Sequence, residues 1–253
     1  MTDLADRYQK IRIIWRQDHA PDLWSIRVRP EEPLSFKPGQ YVTIGVEREG
    51  RVLERPYSIV SSPLEPEIEF FFELVPQGGL TPVLHSLQAG DSLLMRRQAK
   101  GLFILDSKSG RRQHYLISTV TGVAPYVSMV RTLICQARSS GSPDLRVVLL
   151  QAASRPFEFA YRQELEAVGQ GSKWFQYIPT VSRPWEDLAW KSEVGRVEDV
   201  LRKYLDSLGL EPASTTAYLC GHPGMIENAK GILTRRGFVK DNIREEAFWV
   251  REK

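Results

Sequence analysis

The spacing of apolar residues changes near residue 106, and this change limits the folds that the chain can adopt. Up to that point, short β-rich runs alternate with turns. Beyond residue 113, apolar strands alternate with amphipathic helices, and the polar segment between the two regions carries no apolar pattern. The sequence therefore predicts two domains of different fold class, over residues 1–106 and 113–253.

The first region is predicted to be an antiparallel β-sandwich or a small β-barrel. Short apolar or alternating runs separated by turn residues are typical of both folds. The predicted strands cover residues 23–29, 41–46, 55–62, 68–75, 91–95 and 102–105. One short helix interrupts them, with Thr81 predicted as its N-cap, Pro82 at its first position and Gly90 at its end.

The start of this short helix is a candidate anion site. Gly78 and Gly79 precede it and leave backbone N–H groups unshielded. Such N–H groups bind anions, so a phosphate could be held there and also be reached by Arg55. The alternative is a plain capped helix between two strands.

The second region is predicted to be a doubly wound parallel sheet. Its strands are predicted over residues 115–120, 145–151, 174–181 and 216–220, and its helices over 125–137, 157–168, 197–208 and 224–236. Alternation of strands and helices produces right-handed crossovers between parallel strands. Ligands of such sheets bind at the carboxyl ends of the strands.

One stretch of the first region, Arg55-Pro56-Tyr57-Ser58, has the chemistry of a cofactor site. Alternate residues of a strand share a face, so Arg55 and Tyr57 lie on the same side. A guanidinium suits a phosphate, the tyrosine offers a flat ring for stacking, and Ser58 adds a hydroxyl. This set suits a cofactor with a phosphate at one end and a redox-active ring at the other. The alternative is an ordinary half-buried strand.

Two strand ends of the second region have small residues where a pyrophosphate could approach a helix. Gly122 and Ala124 follow the first strand, and Gly221 follows the last, although the chain contains no Gly-x-Gly-x-x-Gly fingerprint. Cys220 would lie at the rim of the same crevice, or it is a buried structural thiol.

Two arginines also follow predicted strands of the second region. Arg155 follows the second of these strands, and Arg183 follows the third. Each is either a ligand of a bound group at the carboxyl edge or a solvated surface residue.

Composition and charge exclude several other classes of protein. Cys135 and Cys220 are the only cysteines, too few for an iron–sulfur cluster held by four thiolates, and the four histidines are scattered, so no metal site is predicted. No apolar run approaches the ~20 residues of a membrane span. Two lone thiols and the lack of a signal pattern at the start predict a reducing, cytoplasmic location. The net charge of +3 does not argue for nucleic acid, but it suits an acidic protein partner.

These motifs resemble the ferredoxin–NADP reductase family. The resemblance rests on Arg55-Pro56-Tyr57-Ser58 with Ser61, Gly79-Leu80-Thr81, Thr121-Gly122-Val123-Ala124-Pro125 and Cys220-Gly221-His222-Pro223, in that order. It covers nearly the whole chain and is strongest to the short bacterial ferredoxin/flavodoxin–NADP reductases. It implies an antiparallel flavin-binding barrel followed by a doubly wound NADP-binding domain.

The resemblance also implies an activity. The chain would be a reductase with tightly bound FAD that exchanges electrons between NADPH and a one-electron carrier, ferredoxin or flavodoxin. The alternative is a reductase or electron-transfer component that supplies an oxygenase or a larger flavoprotein. Two cysteines exclude an attached iron–sulfur domain but not a separate ferredoxin partner.

The resemblance further assigns roles to individual residues. The residues expected to contact FAD are Arg55, Pro56, Tyr57, Ser58, Glu73, Leu74, Val75, Gly79, Leu80, Thr81, Thr121, Ala247 and Phe248. Those expected to contact NADP(H) are Thr121, Gly122, Val123, Ala124, Arg155, Ser182, Arg183, Cys220, Gly221 and Met225. Ser58, Cys220 and Glu245 are expected to take part in catalysis, and the two arginines imply a preference for NADPH over NADH.

The chain departs from the family pattern at two places. Val120 stands where the family usually has glycine, which puts the close approach of the pyrophosphate in doubt. The tail runs past an aromatic pair, Phe248 and Trp249. The resemblance expects Ala247 to cover the flavin ring, an alternative register places Phe248 or Trp249 there, and a third possibility is that the aromatic pair only completes the edge of the sheet.

Overall fold

The computed structural model describes residues 4–248, which form two compact units. Of these, residues 4–104 and 124–135 make up the first unit, and residues 105–123 and 136–248 the second. The first part of one helix of the second region therefore groups with the first unit. No helix within residues 4–248 is long and apolar enough to span a membrane.

The first unit contains a six-stranded antiparallel sheet. Its elements are α1 (Leu4–Arg7), β1 (Tyr8–Ala20), β2 (Leu23–Arg29), β3 (Tyr41–Arg48), β4 (Arg51–Ser58), β5 (Ile68–Glu73), α2 (Thr81–Ser86) and β6 (Ser92–Arg96). The strand order is β4-β3-β6-β1-β2-β5. Just beyond β4, the Val60 N–H donates to the carbonyl of Glu69 in β5 at 2.9 Å, which joins the two edges. The sheet is therefore a small barrel rather than a sandwich.

The barrel interior is filled by side chains that alternate with polar residues along the strands. Trp24, Phe70 and Phe72 are among its largest fully buried side chains, and Trp24 stacks on Phe72 with ring centroids 5.2 Å apart. In β1, Ile11 and Ile13 point inward while Lys10 and Arg12 point outward. Burial of this apolar face stabilises the unit by removing apolar surface from water.

Three sequence predictions in the first region are wrong. Residues 102–105 form no strand, because Gly101 adopts a φ of +110°, Leu102 is 86% exposed and Phe103 turns in to pack against Tyr126. The N-cap of α2 is Leu80 rather than Thr81, and the helix ends at Ser86 with Leu87 as its C-cap, before Gly90. The Thr81 hydroxyl instead bonds the backbone of a preceding loop, as described below.

The second unit contains a six-stranded, fully parallel sheet. Its elements are β7 (Gln113–Thr119), α3 (Ala124–Ser140), β8 (Arg146–Ala153), α4 (Arg162–Gly171), β9 (Phe175–Val181), β10 (Glu193–Val194), α5 (Val197–Leu208), β11 (Thr215–Gly221), α6 (Pro223–Arg235) and β12 (Ile243–Ala247). The strand order is β10-β9-β8-β7-β11-β12. The chain steps outward from β7 on one side and then returns to β7 on the other. This confirms the doubly wound fold and places the topological switch point between β7 and β11.

The predicted helix over residues 157–168 begins too early. Residues Pro156–Glu158 form one 3₁₀ turn, and α4 starts only at Arg162. Between them, Phe159 and Tyr161 are buried. These two aromatic residues belong to the core under the loop, and their apolar character accounts for the apparent helical pattern.

Candidate active site

The first unit presents a cation and a neutral aromatic ring on β4. Arg55 and Tyr57 are two residues apart and pair with Ile44 and Val42 of β3. The Tyr57 ring meets the edge of Phe72 with centroids 4.9 Å apart. Burial raises the pKa of Tyr57 to about 12, against the opposing charge of Arg55, so the ring is neutral at physiological pH.

Arg55 is exposed and donates from Nη1 to the carbonyl of Glu54 at 2.8 Å. Within residues 4–248 no carboxylate forms an ion pair with this guanidinium. A phosphate therefore needs to displace no partner carboxylate. The residues present fit a cofactor that combines phosphate with an aromatic ring system.

The loop beside this strand is held by one hydroxyl. Thr81 Oγ1 accepts from the N–H of Val75 at 3.0 Å and donates to the carbonyl of the same residue at 3.2 Å. A Cβ added at Gly79 would meet no atom within 4 Å. The loop over residues 75–81 is thus closed by its own threonine and leaves open space in front of Gly79, where a bound group has room.

Other predicted flavin residues of this unit lie around the same loop and strand. Ser58 is buried at the end of β4, and Glu73 is exposed at the end of β5. Leu74 packs against the barrel core, and its N–H donates to the carbonyl of Asp22 at 2.8 Å. Pro56 and Leu80, exposed and buried respectively, complete the predicted set in the barrel.

The serines that follow β4 have an internal role that the sequence did not indicate. Ser61 and Ser62 are buried and bond to α3: Ser128 Oγ donates to the Ser61 carbonyl at 2.7 Å, and Thr132 Oγ1 donates to Ser62 Oγ at 2.9 Å. Ser61 Oγ also accepts from the N–H of Glu69 at 3.1 Å. The stretch after Arg55–Ser58 therefore anchors the first turns of α3.

In the second unit, β7 and β11 end in direct backbone contact. A Cβ added at Gly122 would lie 2.3 Å from the carbonyl oxygen of Cys220. A Cβ at Gly221 would lie 2.3 Å from Thr119 Oγ1, which accepts from the N–H of His222 at 3.0 Å. Only glycine fits at these two positions, so the switch point is lined by backbone.

Val120 has a backbone conformation that glycine adopts more readily. It has a φ of +37°. This left-handed conformation is strained for a β-branched residue and costs of order 1–3 kcal/mol. The side chain packs against the cluster of Ala153, Phe159 and Val181. The loop after β7 thus keeps a glycine-like backbone turn, held by apolar contacts.

Substitution of Gly122 by alanine is expected to lower the free energy of unfolding by about 1–3 kcal/mol, because the new methyl group would overlap the backbone of β11. Gly171→Ala is the matched control, since a Cβ at this residue of α4 meets nothing within 4 Å. Urea unfolding of the two variants checks the expectation. Equal stability of the two variants would show that the strand ends can separate without cost.

Several predicted NADP(H) residues are part of the core. Val123, Ala124 and Met225 are buried, and Met225 belongs to the main apolar cluster of this unit. Their side chains therefore serve packing, and a dinucleotide could meet them only through backbone atoms. Thr121 is only partly buried, in the 3₁₀ turn that starts α3.

Cys220 is fully buried, with none of its surface exposed. Burial raises the pKa of its thiol well above the usual value, and the nearby charge of Glu246 adds to this effect, so the thiol is protonated. The parallel pairing of β11 with β12 sets Glu246 opposite Cys220, whereas Glu245 forms an ion pair with Lys230 at 2.9 Å. The sequence alone did not show which of these two carboxylates lies opposite Cys220, because that depends on the strand register.

The tail is the edge strand of the parallel sheet up to Ala247. Ala247 pairs with Gly221, and the N–H of Phe248 donates to the Gly221 carbonyl at 3.0 Å. These bonds hold Ala247 and Phe248 at the end of β11. Trp249 lies outside the described residues.

The predicted phosphate ligands lie together at the ends of β8 and β9. Backbone bonds continue past the strands, from the Ser182 N–H to the Ala153 carbonyl at 3.2 Å and from the Arg183 N–H to the Ser154 carbonyl at 2.9 Å. Arg155 and Arg183 therefore leave neighbouring strands side by side. Both guanidinium groups approach one carboxylate, Glu186.

Within residues 4–248 there is no group of three or more His, Cys, Asp or Glu side chains that could hold a metal ion. Cys135, the second cysteine, is half-buried in α3.

Comparison with known proteins agrees with this division of the chain. The family model described as "Oxidoreductase FAD-binding domain" matches residues 19–101, and the one described as "Oxidoreductase NAD-binding domain" matches residues 116–231. The ferredoxin–NADP reductase of Pseudomonas aeruginosa is 32% identical over 248 residues, covering 89% of this chain and 92% of that protein. The flavodoxin/ferredoxin–NADP reductase of Escherichia coli is 31% identical over 204 residues, covering 78% of each.

Among solved structures, a ferredoxin NADP+ reductase from Neisseria gonorrhoeae with bound FAD and NADP has a similar fold. Its TM-score is 0.83 at 23% identity, and the match covers 96% of this chain and 99% of that one.

An FAD-binding domain followed by a nicotinamide-dinucleotide domain defines a flavin-dependent oxidoreductase. The sequence relationships are more specific: the chain belongs to the ferredoxin–NADP reductase family, which confirms the resemblance of its motifs.

Proposed function

We propose that the protein is an FAD-dependent reductase that exchanges electrons between NADPH and a one-electron carrier, ferredoxin or flavodoxin. The observation that carries the proposal is the pair of residues on β4, an exposed guanidinium without a partner carboxylate and a neutral tyrosine ring. Bound FAD would supply the change from two-electron to one-electron transfer. The protein's own residues bind and orient the reacting partners.

In the first unit, Arg55 binds the flavin phosphates and the Tyr57 ring stacks on the flavin. Because Tyr57 is neutral and held at the edge of Phe72, it gives a fixed apolar surface. Ser58 supplies a hydroxyl next to this ring. The loop over residues 73–81, with its open space at Gly79, accommodates the rest of the cofactor.

In the second unit, the switch point between β7 and β11 receives the dinucleotide. The backbone from Thr121 to Ala124 and at Gly221 meets the pyrophosphate and nicotinamide side, and Arg155, Ser182 and Arg183 meet the 2′-phosphate. Gly122 and Gly221 let the two strand ends meet closely, so that backbone and not side chains lines the place where the dinucleotide is proposed to bind.

Cys220 lies where the nicotinamide side of the site is expected. Its thiol is protonated, and Glu246 lies opposite it in the strand register. The carboxylate role in the reaction is proposed for Glu245, which pairs with Lys230 at 2.9 Å in the free protein. Ala247 and Phe248 are proposed to cover the flavin in the absence of nicotinamide.

The reaction is tested with purified protein loaded with FAD. NADPH is expected to reduce an artificial acceptor without any added protein, and reduction of cytochrome c is expected to require added ferredoxin or flavodoxin. A component of a larger flavoprotein complex would instead need its other subunits. Failure to retain FAD, or to oxidise NADPH with any acceptor, would overturn the proposal.

Arg183→Ala is expected to raise the KM for NADPH about tenfold or more and to leave the KM for NADH nearly unchanged. A charge-assisted bond to the 2′-phosphate is worth about 1.5–3 kcal/mol, and NADH has no such group. Arg202→Ala is the charge-matched control, because this residue of α5 is exposed and, within residues 4–248, forms an ion pair only with Asp206. If Arg183→Ala raised the KM for NADPH and the KM for NADH equally, Arg183 would not be a ligand of the 2′-phosphate.

A further inference from the structure

The two arginines at the ends of β8 and β9 already share an anion supplied by the chain. After Arg183 the chain makes a 3₁₀ turn over Pro184–Glu186, in which the Glu186 N–H donates to the Arg183 carbonyl at 3.4 Å. The turn brings the Glu186 carboxylate back to both guanidinium groups. Its Oε2 lies 2.6 Å from Arg155 Nε, and its Oε1 lies 3.9 Å from Arg183 Nη1.

A second carboxylate near Arg155, that of Glu158, has a different role. Its Oε2 accepts from the N–H groups of Ser154 at 2.8 Å and Arg155 at 3.2 Å, and its Oε1 lies 3.5 Å from Arg155 Nη1. Glu158 is therefore a fixed part of the loop after β8. Removing it would leave these two partly buried N–H groups without that acceptor.

Glu186, unlike Glu158, does not hold the backbone of a loop in place. Within residues 4–248 its carboxylate contacts only the two arginines, and the side chain is 32% exposed. The turn that carries it is closed by backbone bonds, including one from the Asp187 N–H to the Pro184 carbonyl at 3.2 Å. The carboxylate can therefore leave the arginines without disturbing the turn.

The charges at this site cancel before any ligand arrives. Two guanidinium groups face two carboxylates, so the formal sum is zero. An adenosine 2′-phosphate that approached Arg155 and Arg183 would meet the like charge of Glu186. Opposite charges attract and like charges repel most strongly at the short separations found here.

We infer that Glu186 is an internal competitor of the adenosine 2′-phosphate and thereby sets how strongly the site distinguishes phosphorylated from unphosphorylated dinucleotides. This inference rests on the proposed placement of the 2′-phosphate at Arg155 and Arg183. The carboxylate pairs the two arginines in the free protein, and the phosphate replaces it on binding. Affinity for the 2′-phosphate is therefore lower than two unpaired arginines would give.

The test is isothermal titration of the FAD-loaded protein with adenosine 2′,5′-bisphosphate and with 5′-AMP. Glu186→Gln is expected to tighten binding of the bisphosphate about fivefold to tenfold and to leave 5′-AMP binding unchanged. Asp187→Asn is the matched control, because it removes the same charge one residue away and keeps the oxygen that accepts from the Ala189 N–H. It is expected to change bisphosphate binding less than twofold.

The outcomes separate this inference from the proposed function. If Arg183→Ala weakens bisphosphate binding but Glu186→Gln leaves it unchanged or weakens it, Glu186 positions the arginines and the inference is wrong. If Asp187→Asn tightens binding as much as Glu186→Gln, the effect is a general one of charge and the inference is also wrong. If Arg183→Ala has no effect on bisphosphate binding, the proposed phosphate site itself fails.

Discussion

Glu69→Ala is expected to lower the free energy of unfolding of the first unit by about 3–5 kcal/mol, the cost of breaking a buried ion pair. Glu69 of β5 is 2% exposed and lies 3.0 Å from both Arg27 Nε and Arg131 Nη1. Arg131 of α3 is itself only 13% exposed. Arg131 Nη1 also lies 3.8 Å from an oxygen of Glu65, a longer separation than its 3.0 Å to Glu69.

The size of this loss in stability follows from the desolvation of the two arginines. After Glu69 is removed, Arg27 can still contact the Trp15 ring, 4.5 Å from its guanidinium, and be hydrated by water. The guanidinium of Arg131 is too buried for water to replace the lost carboxylate. Glu69→Gln should cost less, because the amide oxygen still accepts a hydrogen bond. Glu67→Ala is the control, because Glu67 forms an exposed pair with Arg29, and such pairs are worth about 0–1 kcal/mol.

Urea unfolding followed by tryptophan fluorescence compares the three variants, since Trp15 and Trp24 both lie in the barrel. We expect the free energy of unfolding of Glu69→Ala to be lower than that of Glu69→Gln, and that of Glu67→Ala to be close to the value of the unsubstituted protein. If Glu69→Ala lost no more stability than Glu67→Ala, the anchoring of α3 would have to come from the serine contacts alone.

The parts of the fold that depend on local pattern were predictable from the sequence. The helical stripe over residues 197–208 coincides with α5, and four of the six strands of the parallel sheet were found in the correct order with the helices between them. Each of these elements buries a regular apolar face, so its period is visible in a single sequence.

The elements that were missed depend on partners far away in the sequence. β1 was not predicted, because its second half is polar and conceals the alternation of its first half. β12, with the sequence Ile243-Arg244-Glu245-Glu246-Ala247, carries no apolar pattern at all. It forms a strand only because it can pair with the free edge of β11. Nothing in the local sequence of β12 indicates that this edge is present.

The candidate site likewise contains some residues that the sequence indicated and others that only the structure reveals. Arg55, Tyr57, Arg155 and Arg183 were selected by residue type and position relative to strands. The contact of Glu186 with Arg155 and the position of Glu246 opposite Cys220 were not, since each depends on a turn geometry or a strand register that brings a carboxylate back to an earlier residue. The sequence likewise showed that Val120 replaces the usual glycine, but it did not show that the backbone of Val120 is strained.

A buried histidine in the second unit predicts a loss of stability in mild acid. His114 of β7 is 2% exposed, and its Nδ1 lies 3.2 Å from the Tyr218 hydroxyl. That hydroxyl accepts from the N–H of Asp106 at 2.7 Å, and its contact with Nδ1 suits a neutral imidazole that accepts a hydrogen bond. Protonation of Nδ1 would remove the acceptor and bury a charge.

Burial lowers the pKa of His114 from 6.5 to about 4, helped by the charge of Arg244 and opposed by that of Asp106. The unfolded chain therefore takes up this proton first as the pH falls. Stability conferred by the neutral histidine is present above pH 6.5, declines between about pH 6.5 and pH 4, and is lost below. The difference in pKa corresponds to about 3 kcal/mol.

Asp106 adds a second step at lower pH. Burial would raise the pKa of its carboxyl, but bonds from Ser109 and from the Lys108 N–H, together with the charge of Arg244, outweigh burial and hold that pKa at about 2 instead of 3.8. Its contribution to stability is therefore present above pH 3.8 and is lost as the pH falls towards 2. The two steps are centred on different pH ranges, so the slopes above and below pH 4 distinguish them.

Replacement of His114 by glutamine is expected to flatten the pH dependence of the free energy of unfolding between pH 6.5 and pH 4, because glutamine keeps an acceptor for the Tyr218 hydroxyl but does not titrate. The slope below pH 4 is expected to stay, since it belongs to Asp106.

His222→Asn is the control: His222 is exposed, and an asparagine can still accept from the Gly224 N–H at the start of α6. Urea unfolding at several pH values, with FAD at one fixed concentration, gives the slopes. If His114→Gln and His222→Asn showed the same slope between pH 6.5 and pH 4, the acid sensitivity would belong to another group, and the assignment to His114 would be wrong.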